Sequence, residues 1–244
     1  MKLIKNIPNA ITLLNLSCGV YAIVMLFGQK VQIACLLIWV AAILDFLDGF
    51  TAKLLHAHSE IGKQLDALAD MVTFGVAPGL LLYQLIAFSC HYQADALVIS
   101  ETRYLPAFFV IIAAAVRLGR FNISPVIPGQ FSGLATPAMG CFVASLPLIA
   151  FMNNTSINAF LLNTYVLYGL VLLLSFLMVS ELPLLNFKPE KWVVKGNEMR
   201  IVLIVIALPA IILFKYAAGP IIFAAYLLLS FIEFSFLRKT KSTN

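Results

Sequence analysis

Four aspartates, Asp45, Asp48, Asp66 and Asp70, stand in the stretch DFLDGFTAKLLHAHSEIGKQLDALAD, whose flanks are almost wholly apolar. Residues three or four apart share a helix face, so Asp45 neighbours Asp48 and Asp66 neighbours Asp70. A helix ending near Leu55 and another starting near Ile61 would form a hairpin, with all four carboxylates pointing into one small volume. Left alone they would repel one another, and each would carry a desolvation penalty or take up a proton. Divalent cations remove the conflict. Hard carboxylate oxygens suit Mg²⁺, Mn²⁺ or Ca²⁺, and two ions about 3.5–4 Å apart can hold both sides of a phosphoryl displacement. Gly49 and Ala52 leave room beside Asp48 for a bulky ligand, Lys53 can meet an anionic phosphate, and Gly62 extends the Asp66 face by one turn. The plainer reading, acidic caps in a wet interhelical loop, is weakened by concentration. Five of the eleven acidic residues, counting Glu60, fall in this stretch, and ionisable groups inside a membrane mark functional sites.

The elements that must position these groups are set by the rest of the chain. Its 244 residues are 62% hydrophobic and 11% charged, with a mean hydropathy of +0.99, against a charged fraction of about 25% in a soluble domain. That composition predicts an integral membrane protein. A spanning helix needs about 20 apolar residues and must satisfy its own backbone polar groups. Apolar runs broken by Pro, Gly or charge give eight candidate spans, near 9–28, 31–54, 62–89, 104–121, 134–152, 159–180, 199–214 and 217–237. The expected architecture is an all-α polytopic helical bundle, a single membrane domain over 1–244. With both termini cytoplasmic, the inside segments hold Lys2, Lys5, Lys53, Lys63, Arg117, Arg120, Lys188, Lys191, Lys195, Arg200, Arg238, Lys239 and Lys241, and the outside segments only Lys30, Arg103 and Lys215. This asymmetry follows the positive-inside rule and puts the aspartates at the cytoplasmic face. The net charge of +5 is therefore a topology signal, with attraction to membrane lipids secondary and no nucleic-acid partner implied. The first span is long and lacks a small-residue cleavage site, so it reads as a retained helix. Cys18, Cys35, Cys90 and Cys141 lie singly in apolar segments with no CxxC spacing and read as buried small hydrophobes.

Three polar interruptions, 90–103, 122–133 and 186–200, connect the spans; NISPVIPGQFSG reads as a turn-rich loop and NFKPEKWVVKGNEMR as a basic segment along the headgroups. NNTS at 153–156 reads as a turn between helices. In VRLGRFN, Arg117 and Arg120 share a helical face at a cytoplasmic end, with Asn122 following, ready for a carboxylate or a lipid phosphate. The competing reading makes both arginines topology anchors. Asn9 and Thr12 can reach a nucleotide from the first helix or simply open that helix after Pro8. His56 and His58 read as solvent-facing residues of a polar turn.

The aspartate segment resembles the signature of the CDP-alcohol phosphotransferases, D-x2-D-G-x2-A-R-x8-G-x3-D-x3-D, through Asp45, Asp48, Gly49, Ala52, Lys53, Gly62, Asp66 and Asp70. Every spacing agrees, and Lys53 stands where the family has Arg. LDALADMVTFGVAPGLL, RLGRFNISPVIPGQFSGLATPAMG (with Ala135 for a Pro) and IPNAITLLNLSCG are similar to segments of the family's phosphatidylserine synthase branch. The resemblance covers residues 7–147, the expected catalytic core, and leaves 148–244 as additional transmembrane helices. It implies transfer from CDP-diacylglycerol to L-serine, giving phosphatidylserine and CMP in phospholipid biosynthesis. On this resemblance Asp45, Asp48 and Asp66 hold two Mg²⁺ or Mn²⁺ ions on the diphosphate, and Asp70 is both near a metal and the general base. It further implies nucleotide or diphosphate contact by Gly49, Ala52, Lys53, Gly62, Asn9 and Thr12, and a serine or lipid-phosphate site at Arg117, Arg120 and Asn122. A homodimer is also implied, in the inner membrane if the cell is bacterial.

Two other readings compete. A sibling transferase acting on glycerol 3-phosphate or inositol phosphate would want a richer basic pocket for its dianionic acceptor. A cation transporter would carry its carboxylates near the membrane midplane, whereas these flank a positively charged turn at one edge. An aspartate-rich prenyl transferase needs a second, separated Asp-rich motif, and the last aspartate of this chain is Asp95.

Overall fold

In the computed structural model, which describes residues 6–57, 59–93, 101–123, 133–150, 155–182, 184 and 198–241, the elements are helical and no strand occurs among the described residues. Residues 124–132 of the expected turn-rich loop, 185–197 of the basic segment, Asn153, Asn154 and His58 lie outside the described residues. The chain forms α1 (Ile7–Phe27), α2 (Val31–Leu54), α3 (Glu60–Asp70), a π-helical turn (Met71–Val76), α4 (Ala77–Gln93), a 3₁₀ turn (Glu101–Ala107), α5 (Phe108–Ile123), α6 (Thr136–Ala150), α7 (Thr155–Leu161), α8 (Thr164–Val179), α9 (Glu198–Phe214), a second 3₁₀ turn (Lys215–Ala217) and α10 (Ala218–Lys241).

Among the described residues, four helical runs are long and apolar enough to cross a membrane: Ile7–Phe27, Val31–Leu54, Glu60–His91 and Glu101–Ile123. Four shorter apolar helices follow, Thr136–Ala150, Thr164–Val179, Met199–Phe214 and Ala218–Phe234. The expected run over 159–180 is divided. Asn163 interrupts it, and its side-chain oxygen accepts hydrogen bonds from the backbone of Tyr165 and Val166, so α8 begins with a cap of its own. A capping Asn competes with helix continuation, because its short side chain replaces the missing backbone acceptor.

The outer faces of α1 and α2 are apolar and exposed, with Leu14, Val24, Phe27, Val40 and Ile43 among their side chains, as expected where lipid replaces water. The inner faces are built from small residues. Buried Ala34, Cys35 and Ala41 let α2 approach its neighbours closely. Helix α6 is the centre of the bundle, buried at nearly every position from Met139 to Ile149. Trp39 of α2 donates its indole N–H to the Cys141 carbonyl at 3.2 Å, and Phe142 stacks on Phe223 of α10 with ring centroids 4.2 Å apart. At the start of α6, Gly133 (φ +80°) and Leu134 donate backbone bonds to the carbonyls of Leu182 and Leu177. A Cβ at Gly133 would come within 2.7 Å of the Met178 carbonyl oxygen, so only glycine fits both the backbone angle and the contact. All four cysteines are free thiols, with Cys35 and Cys90 buried.

Candidate active site

The turn between α2 and α3 folds the aspartate segment back on itself. α2 ends at Leu54, His56 takes a left-handed conformation (φ 47°), and Ser59 restarts the helix by accepting a hydrogen bond from the Gly62 N–H at 3.0 Å. Glu60 in the first turn of α3 adds a favourable charge at the positive end of the helix. The two helices thereby bring oxygens of Asp45, Asp48 and Asp66 within 4.8 Å of one another. The Thr12 hydroxyl of α1 lies 2.6 Å from Asp48 Oδ2 and 3.0 Å from the Pro8 carbonyl, so its single hydrogen serves one acceptor at a time. Three converging carboxylates, one of them buried, form a donor set of hard oxygens that fits a divalent cation and would be self-repelling without positive charge.

Asp70 is not in that group. It lies one helical turn beyond Asp66, buried, at the junction with the π-helical turn. The expected gathering of four carboxylates is thus three together with the fourth standing deeper along α3.

A cleft of about 750 Å³ opens beside the three aspartates, a volume in the range of ligand sites, about 300–1,000 Å³. Asp48 and Asp66 line it, and α1 contributes Asn9 and Thr12. Gly49, Ala52 and Lys53 line it from α2, and Gly62 and Lys63 from α3. Every residue singled out in the sequence for nucleotide or diphosphate contact therefore faces one space. A Cβ on Gly62 would come within 2.9 Å of Asn9 Oδ1, so glycine here is what lets α1 and α3 meet at the rim. Phe46 and Phe50, stacked 6.5 Å apart, give the cleft an apolar flank. Lys53 is exposed, with its long side chain in the same space.

The basic residues of α5 divide. Arg117 is 8% exposed and donates to the Thr136 hydroxyl at 3.1 Å, while its Nε–H has no hydrogen-bond partner among the described residues. Asp70, foremost, and Tyr226 of α10 are the ionisable groups whose fields act on it. The buried guanidinium thus has a hydroxyl acceptor in Thr136 and a carboxylate charge in Asp70, and its Nε–H is left over for a further acceptor. Arg120, by contrast, is exposed and donates to the Val179 carbonyl at the end of α8. Asn122 offers its backbone carbonyl to Lys63 Nζ at 3.0 Å. None of Asp70, Arg117, Arg120 and Asn122 lines the cleft.

Three features had no part in the sequence reading. The first is the π-helical turn, in which the Ala77 N–H bonds the Val72 carbonyl five residues back. Pro78 supplies the reason, because it has no N–H for the Phe74 carbonyl and its ring disfavours a regular turn before it. The others are Thr136 and Tyr226, whose proximity to Arg117 crosses long sequence separations. The Pro in MVTFGVAP was the one local signal available.

The chain matches the CDP-alcohol phosphatidyltransferase family over residues 5–232. The chain belongs to this family. It is 32% identical to a CDP-diacylglycerol--serine O-phosphatidyltransferase of Helicobacter pylori strain J99, over 94% of this chain and 91% of the relative. It is 34% identical to the protein of the same description from Bacillus subtilis, over 75% of this chain and 91% of that one. An archaetidylserine synthase of Methanothermobacter thermautotrophicus is 28% identical over 62% of this chain and 61% of its own length. The CDP-alcohol phosphatidyltransferase match thus runs through α8, α9 and most of α10, where the sequence taken alone offered only apolar spans.

Proposed function

We propose that this chain transfers the phosphatidyl group of CDP-diacylglycerol to the hydroxyl of L-serine, giving phosphatidylserine and CMP, at the cytoplasmic face of a membrane. The observation that supports this reading is a buried carboxylate, Asp70, acting on a buried guanidinium, Arg117, one helical turn beyond a group of three converging carboxylates. A single buried guanidinium suits one acceptor carboxylate, whereas a dianionic phosphate acceptor would want more positive charge. The serine named in the descriptions of the relatives agrees with it.

Asp45, Asp48 and Asp66 would hold two divalent cations, Mg²⁺ or Mn²⁺. When bound, such cations neutralise a diphosphate and make CMP a better leaving group. Asn9, Thr12 and Gly62 receive the nucleotide side of the donor, with Gly49 and Ala52 giving the diphosphate room and Lys53 offering it a point charge. Asp70 takes the proton from the serine hydroxyl as that oxygen bonds to the phosphatidyl phosphorus and the bond from phosphorus to the CMP oxygen breaks. Arg117 holds the serine carboxylate. Arg120 stays with the end of α8 and the lipid headgroups, and Asn122 positions Lys63 at the rim. The eight apolar helices are the transmembrane spans, with both termini cytoplasmic. The excess of inside Lys and Arg supports this orientation.

Inside-out membrane vesicles given CDP-diacylglycerol and isotope-labelled serine should form labelled phosphatidylserine without permeabilisation, as read by mass spectrometry. Incorporation of glycerol 3-phosphate in place of serine would overturn the acceptor, and a need for permeabilisation the orientation. Arg117→Met should raise the KM for serine by roughly 100-fold or more, the scale of a lost charge-assisted pair, with metal-dependent CDP binding unchanged. An unaltered serine KM would remove Arg117 from the pocket. Lys53→Arg should keep or improve the KM for CDP-diacylglycerol, because guanidinium adds bidentate contact to the same charge; a severe loss would show that Lys53 does not serve the diphosphate.

A further inference from the structure

The cleft is accounted for by its charges, but the helix packing beyond its α1 wall, where Asn9 and Thr12 line it, buries a group with no assigned work. Asn15 stands one turn beyond Thr12 on the inward face of α1, a face that also carries Pro8, Gly19 and Ala22. It is 0% exposed, and neither its carbonyl oxygen nor its amide nitrogen has a hydrogen-bond partner among the described residues. Buried amides are ordinarily satisfied, and an exception calls for an explanation. Thr12, one turn earlier, has both Asp48 and the Pro8 carbonyl within reach.

The helix registers locate it. α1 and α2 form an antiparallel hairpin in which Thr12 meets Asp48. Three residues later on α1 and three earlier on α2, Asn15 is level with Asp45. On the other side the Thr73 hydroxyl donates to the Asn15 backbone carbonyl at 3.3 Å, and a side chain at Gly19 would run into Thr73. Asp70 lies one turn before Thr73 on the same run of helix. Asn15 is therefore at the depth of Asp45 and Asp70, below the nucleotide end of the cleft.

Serine is a zwitterion, and two of its three polar groups already have partners in the reading above, on which this inference rests: Asp70 for the hydroxyl and Arg117 for the carboxylate. Its ammonium group needs an acceptor. A further carboxylate there would compete for the cations and for Arg117, whereas a carboxamide oxygen accepts without adding charge. We propose that Asn15 binds the ammonium group of the acceptor through its side-chain carbonyl, and so selects serine over alcohols that lack the amine.

The test compares serine with 3-hydroxypropanoate, which is serine without its amine, in the purified full-length enzyme with CDP-diacylglycerol and Mn²⁺. Each is read by CMP release or, where turnover is undetectable, by its inhibition constant against serine. Asn15→Leu, close in shape and without polar atoms, should lower kcat/KM for serine by about 100-fold, because a site built to bond a polar group depends on that bond. It should leave 3-hydroxypropanoate within about threefold, so that selectivity collapses. Equal losses for both alcohols would mean a structural role and would overturn the proposal, as would a wild type that does not distinguish them. Metal-dependent CDP binding verifies folding, and Asn15→Ser supplies the same ratio if the leucine variant does not fold. Arg117→Met should weaken both alcohols alike, since both carry the carboxylate. If Arg117→Met behaves so while Asn15→Leu retains selectivity, the Asn15 assignment alone fails; if Arg117→Met spares both, the pocket itself is misplaced.

Discussion

Asp70→Asn is expected to lower turnover by roughly 10²–10⁴-fold, the contribution of a positioned general base, while metal-dependent CDP binding stays within a few fold of wild type. The expectation comes from where Asp70 lies. The oxygens that converge within 4.8 Å belong to Asp45, Asp48 and Asp66, and Asp70 is a turn deeper, buried, with Arg117 in its field. In the proposed reaction such a carboxylate serves the acceptor hydroxyl and is not needed to hold the donor. Serine's hydroxyl is a weak nucleophile at neutral pH, so the loss should fall on the chemical step. Asn is nearly isosteric and leaves the helix and its packing intact. Calorimetric titration with CDP and Mn²⁺, beside steady-state CMP release, separates the two effects. Full activity in the variant would remove Asp70 as the base, and a lost CDP response would make it a member of the cation site.

The parts of this site that were legible in the sequence are those governed by short spacing. The intervals 45–48 and 66–70 are helical, and the turn between them is short and polar, so the hairpin and its α2 and α3 residues follow from the sequence. The small residues Gly49, Ala52 and Gly62 were readable for the same reason, since what matters at those positions is local absence of bulk. What stayed hidden is long-range. Nothing near Arg117 announces that Thr136 and Tyr226 approach it, because α6 and α10 carry apolar sequences with no chemical pattern, and their contacts depend on how the bundle closes around α6. VRLGRFN could not separate its two arginines either. Three residues apart they share a face in sequence, yet one is buried under α6 and the other reaches the end of α8. The break at Asn163 is hidden in an apolar run that outweighs a single polar residue, although Asn followed by Thr is a helix-start pattern.

Asp48→Asn tests the cation site, and its sign is informative in the absence of metal. Two like charges within 4.8 Å of one another repel by roughly 3 kcal/mol or more at an effective dielectric of about 20, and Asp48 is one of three such groups and is buried. Removing its charge while keeping an acceptor for the Thr12 hydroxyl should leave the metal-free protein as stable as wild type or more stable. The opposite holds with metal present. A cation that binds only the folded state stabilises by RT ln(1 + [L]/Kd), about 2.7 kcal/mol at one hundred times Kd, and this gain requires the carboxylates. Wild type in detergent should therefore melt at higher temperature as Mn²⁺ is added, whereas Asp48→Asn should show little response. Its metal-dependent CDP affinity should fall by more than the roughly 10–100-fold that follows loss of an outer-shell partner. Asp45→Asn should behave the same way, because the group needs all three oxygens. A variant that melts lower than wild type without metal would mean that Asp48 serves the fold through Thr12 and α1, and a variant that keeps its Mn²⁺ response would place the cations elsewhere in the cleft.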